Sequence, residues 1–142
     1  MSKYASIIPT ITGQSMLAES ISTQEPLIFT GVHLGDGVLE QSDVTAEFTA
    51  LKSEKLIGDI SKFDDTLVSA GKVTLISVID NSTVKSGFYA RELGVFAKIG
   101  ESGTERLFAY TNAGNYADYM PESSELNEVR IAIQLMVGAN AN

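Results

Sequence analysis

The chain contains no cysteine. That single absence removes disulfides, thiolate metal sites and cysteine nucleophiles, and it fits assembly in a reducing cytoplasm. Histidine occurs once, at His33, so a metal centre built on several imidazoles has no ligands to draw on. Basic residues are few: ten Lys and Arg stand against eighteen Asp and Glu, for a net charge of -8. Phosphate neutralisation needs clustered cations, and these ten are scattered, so nucleic acid is not expected as a partner. No run approaches the roughly 20 apolar residues of a membrane-spanning helix. The opening "MSKYASIIPTITGQ" has one Lys and no extended apolar stretch, unlike a secretory leader. A soluble chain with no membrane partner is the expectation.

What remains is an ordinary globular composition. With 142 residues, 44% of them hydrophobic and 20% charged, the chain is long enough for one domain with a proper core. We read residues 1–142 as that domain, with 138–142 as the start of a tail or linker. In "ITGQSMLAESI", Ile11, Leu17, Ala18 and Ile21 fall near one side of a helix. Thr10 is its N-cap, and Gly13 weakens it by up to about 1 kcal/mol relative to alanine.

After Pro26 the period changes. "LIFTGVHL" reads as a strand that stops at the turn "GDG", residues 35–37. Val44, Phe48 and Leu51 are spaced for a second, short helix, and "EKLIGDI" then alternates. "GKVTLISVIDN" is β-branched on both faces, as an inner strand would be. "GESGT" is a hairpin loop between "GFYARELGVFAKIG" and "RLFAYTNA". In the last strand Val129, Ile131, Ile133, Leu135 and Val137 alternate with mixed residues, which predicts an inner strand with its odd positions in the core. About six strands without regular strand–helix alternation exclude a doubly wound parallel sheet. The fold class expected is α+β: a mainly antiparallel β-sheet domain with one N-terminal helix and a second short helix.

Chemistry-bearing motifs are weak. His33 lies near a strand end with no nucleophile motif such as G-x-S-x-G, so an ordinary hydrogen bond is the favoured role. "GDGVLEQ" lacks the spaced acids of a calcium loop, the third glycine of a dinucleotide loop and the Lys-Ser/Thr of a Walker loop. Asp64, Asp65, Glu122, Glu125 and Glu128 sit in polar text as solvated carboxylates. Tyr110, Tyr116 and Tyr119 with Asn112 and Asn115 suit either a sugar platform or loop packing on the sheet. No enzyme, cofactor or metal is expected.

"GFYARELGVFAKIG", residues 87–100, is the unusual stretch. Neighbours on a strand point to opposite faces, so Arg91 would share a face with Tyr89, Leu93 and Val95, and Glu92 with Phe88, Gly94 and Phe96. A charge buried unpaired costs several kcal/mol, so each needs a partner, inside the domain or across a contact with another subunit.

Taken in order, "ITGQSMLAES", "VHLGDG", "FTALKSEKLIGDI", "GFYARELGVFAKIG", "LFAYTNAGNYADYMPESS" and "NEVRIAIQLMV" resemble the N-terminal domain of phage tail-collar fibre proteins over nearly the whole chain. The aromatic-x-x-Arg-Glu-x-Gly-x-Phe core, after the earlier Gly-Asp-Gly, is its most specific part. Where the family often has acidic residues after that Phe, this chain has Ala97, Lys98 and Ile99. The resemblance implies a structural virion component, assembled in the bacterial cytoplasm, that attaches a trimeric tail fibre to the baseplate. On that reading Arg91, Glu92, Phe88, Phe96 and Tyr89 are structural or interface residues. The alternative it leaves open is a glycan-binding, host-recognising module using Tyr116, Tyr119 and Asn115.

Overall fold

The computed structural model describes residues 7–60, 62–64 and 72–136. The elements in order are β1 (Ile8–Pro9), α1 (Ile11–Thr23), β2 (Leu27–Gly35), β3 (Glu54–Gly58), β4 (Lys62–Asp64), β5 (Lys72–Asp80), β6 (Phe88–Tyr89), β7 (Glu92–Ile99), β8 (Arg106–Asn112), β9 (Tyr119–Met120) and β10 (Glu128–Met136). They form three sheets, ordered β1-β8-β7-β2-β3, β10-β5-β4 and β6-β9, and every pairing is antiparallel. One helix on mostly antiparallel sheet is the α+β class expected.

β7 lies in the middle of the largest sheet and is buried on both faces. One face packs Leu93, Val95 and Ala97 into the main core with Val32, Leu34, Phe108 and Met16. The other meets a smaller cluster of Leu51, Leu107 and Tyr110, with Phe48 and Phe96 against it. A sheet covered twice explains why this strand lacks a polar face.

The helix starts where its cap predicts. Thr10 is extended, its Oγ1 accepts the Gly13 N–H at 2.9 Å, and its own N–H donates to the Phe108 carbonyl at 2.8 Å. Phe108 is the extra residue where the β7–β8 register shifts, since Val95 faces Ala109 while Phe96 faces Leu107. That bulge pushes its carbonyl toward the helix. The buried side of α1 is therefore Gly13 and Met16, with Leu17 half-buried, whereas Ile11 and Ile21 are 53% and 77% exposed. The apolar side expected from Ile11, Ala18 and Ile21 is corrected: a close approach at glycine decides the helix's rotation, not the count of large apolar residues.

Three other expectations change. The second helix shrinks to a single 3-10 turn at Thr45–Glu47, because the chain then dips to bury Leu51 and hands the next two amides to a side chain of β7. "GFYAREL" is not one strand but two short pieces with a kink between them. β10 has its odd residues Ile131, Ile133 and Leu135 buried as expected, but it stands at the edge of its sheet; the inner strand is β5. Asp65, Val137 and the tail at 138–142 lie outside the described residues.

Candidate functional site

The kink between β6 and β7 separates the two neighbouring charges. The Ala90 N–H donates to the Asp118 carbonyl at 2.9 Å and the Arg91 N–H to the Tyr89 carbonyl at 2.8 Å, which turns the chain before β7 begins. Arg91 is consequently half-buried beside the sheet. Its Nη1 donates to the Asp36 carbonyl at 3.0 Å, and its guanidinium carbon lies 5.4 Å from the Tyr89 ring centroid.

Glu92 opens β7 and is fully buried. Its Oε1 accepts the Gly37 and Ser53 N–H groups, both at 2.9 Å, and its Oε2 accepts the Lys52 N–H at 2.7 Å and the Tyr110 hydroxyl at 2.6 Å. Four donors converge on two oxygens, and a carboxylate, which only accepts, uses all of them. No opposite charge lies within salt-bridge distance of Glu92 or Arg91 among the described residues. Backbone amides and a phenol take the place of the ion partners that a buried charge would otherwise need.

The Gly-Asp-Gly turn belongs to the same unit. A Cβ at Gly37 would lie 2.6 Å from the Glu92 carboxyl carbon, and one at Gly35 would meet the Ser53 carbonyl and Glu92 Oε1. Both positions must lack a side chain for the carboxylate to reach the backbone. The Asn112 side chain donates to the Gly37 carbonyl at 3.1 Å, and Arg91 holds Asp36 from the other side. "GDG" and "REL", which lie some fifty residues apart, are thus one structure: Glu92 ties the 35–37 turn, the 52–53 turn and β8 together.

The remaining sequence-nominated residues scatter around it. Phe88 is buried opposite Met120, and Phe96 is half-buried and stacked on His33 at 4.0 Å between centroids. His33 is buried too, with Nδ1 2.6 Å from Glu54 Oε1. Tyr89 and Tyr119 are each about half exposed and pack edge to face at 5.1 Å. Asn115 and Tyr116 are exposed in the turn before β9, and the described ring contacts join Tyr119 to Tyr89, not to Tyr116. No group of three His, Asp or Glu side chains is placed to hold a metal among the described residues.

Two residues of consequence carried no signal of their own. Tyr110 appeared only as one aromatic among several, yet it caps Glu92. Asn81 merely closes the run "GKVTLISVIDN" in the sequence. It is fully buried, donates to the carbonyls of Pro121, Glu122 and Glu125 at 2.7–3.0 Å, and accepts the Asn127 N–H at 2.7 Å. This side chain holds the 121–127 loop that leads into β10. An Asn that ends a β-branched strand is the only hint in the text, and it points equally to a simple turn.

Burial, and secondarily donation to Glu92, push the ionisation of the Tyr110 hydroxyl upward. An unfolded tyrosine loses its proton near about pH 10. Above that pH the unfolded chain holds fewer protons at this position than the folded one, so stability falls as pH rises. Tyr110→Phe should cost about 1.5–3 kcal/mol at neutral pH by withdrawing a donor from a charged group. It should also lose part of the alkaline decline. Urea unfolding of both chains at neutral pH and above pH 10 checks this, and an unchanged alkaline slope would count against it.

The hub joins loops of one domain, and Tyr89, Tyr116 and Tyr119 are exposed around it. The chain matches the family model described as phage tail-collar fibre protein, N-terminal, over residues 1–139. It belongs to that family, and so to the structural parts of phage tails. No curated protein and no solved structure matches it.

Proposed function

We propose that this domain attaches a tail fibre to the baseplate, as a homotrimer, without catalysis, cofactor or metal. The observation that carries the reading is the use made of Glu92. In a family of tail components, the buried carboxylate of Glu92 at the centre of the domain is wholly engaged in joining its own loops. That is scaffold chemistry, and it leaves the exposed surface to make the contacts. Tyr89, Tyr119 and Arg91 form a cluster of the residue types that dominate binding energy at protein interfaces. The virion is the site of action, and assembly in the host cytoplasm follows from how such particles are built.

Imaging of assembled tails tests this directly. Copies of the chain in threes at the baseplate periphery are expected. Copies at the distal end of a fibre, in contact with host glycan, would replace the reading with host recognition.

A further inference from the structure

β10 is a nine-residue strand paired in unbroken register with β5 along its whole length. No described strand pairs with its other edge. The direction of its peptide groups can be derived. The Asn81 N–H donates to the Asn127 carbonyl at 3.1 Å, so the peptide groups of Asn127, and by alternation of Val129 and Ile131, point toward β5. Those of Glu128, Arg130, Ala132 and Gln134 point away from it. They form a ladder of donors and acceptors with a repeat of about 6.8 Å, at strand spacing.

A cleft of about 580 Å³ runs beside this ladder. Six consecutive residues, 127–132, line one wall and none from β5 does, so it follows the strand's edge and not its face. Leu34, Ala90, Asp118, Tyr119 and Met120 complete its lining. Natural sheets protect such edges with proline, bulges, charged side chains (lysine above all) or brevity, and β10 has only one charge of each sign, Glu128 and Arg130. β10 has no proline, no lysine and no bulge against β5.

We infer that the outer edge of β10 is a docking strand, and that its occupant is an extended segment of another tail protein, which adds to the sheet as a neighbour of β10. This rests on the attachment reading above and names the contact through which attachment occurs. Charge on the edge states the chemistry of the segment. Glu128 and Arg130 share the exposed face, two residues apart, so the incoming strand carries a base opposite Glu128 and an acid opposite Arg130. Between them its alternate residues are apolar, toward Val129, Ile131 and Met120.

Two substitutions in the full chain test this, read by the amount incorporated into purified tails. Ala132→Pro removes one outward N–H and leaves the β5 ladder intact, which edge positions tolerate. Arg130→Glu reverses the edge charge without touching the backbone. Each should reduce incorporation about tenfold or more, while Ala132→Thr incorporates like the parent and all three melt within a few degrees of it. Should the proline variant misfold, Arg130→Glu decides alone. Parental incorporation of the folded variants would overturn the docking edge and leave attachment standing. Absence of the parent itself from tails would overturn both. If the purified parent instead self-associates, and Ala132→Pro abolishes this, the edge belongs to a second copy and the partner segment is wrong.

Discussion

Replacing Glu92 with alanine is expected to lower the thermal midpoint by more than about 10 °C. The substitution removes the acceptor of three backbone N–H groups and of the Tyr110 hydroxyl; the Gly37 and Tyr110 bonds are buried, and those of Lys52 and Ser53 are part-buried. An orphaned buried donor costs about 1–3 kcal/mol, and partial relaxation keeps the total below the simple sum, at about 4 kcal/mol or more. For a chain of this size each kcal/mol moves the midpoint by a few degrees. Glu92→Gln retains the shape but turns an N–H₂ toward amide donors, so it should recover little of the loss. A Glu92→Ala chain that melts with the parent would show that the four hydrogen bonds contribute nothing net. Calorimetry of the three chains is sufficient.

The second large effect has a sign opposite to the one helix propensity suggests. Alanine at a helix interior position is favoured over glycine by about 1 kcal/mol. Yet Gly13→Ala should destabilise this protein by about 2 kcal/mol or more. A Cβ there would overlap the Phe108 carbonyl, which is backbone and cannot rotate aside. The helix would have to lift off β8, straining the Thr10 cap and loosening Met16 in the core. Denaturant titration decides it: a stabilised Gly13→Ala chain would mean that α1 sits farther from the sheet than the structure has it.

Features that depend on local periodicity were legible beforehand. The alternation in β10, the β7–β8 hairpin, the Thr10 cap and the single main helix each follow from residues within a few positions of one another. Features that depend on what lies across space were not. The rotation of α1 follows from a bulge at Phe108, ninety-five positions away from Gly13; the glycine in "ITGQSMLAESI" permits the close approach but does not say what approaches it. β10 reads as an inner strand because one face is strongly apolar, but burial of a face says nothing about pairing at an edge. The cost of burying charge is enough to require partners at Arg91 and Glu92. It does not give their nature, carbonyl and amide in place of an ion, since backbone groups leave no mark in a sequence.

The Glu92 clamp also has a consequence for time. Its donors come from positions 37, 52, 53 and 110, so the carboxylate can leave water only after four distant stretches of chain have met. Until then water solvates the charge better, so the clamp is expected to close late in folding, and Glu92→Ala should speed unfolding more than it slows refolding. Interactions made on the native side of a barrier act mainly by slowing escape from the folded state. For a part of a particle that must last outside any cell, persistence is governed by that escape rate more than by the equilibrium constant.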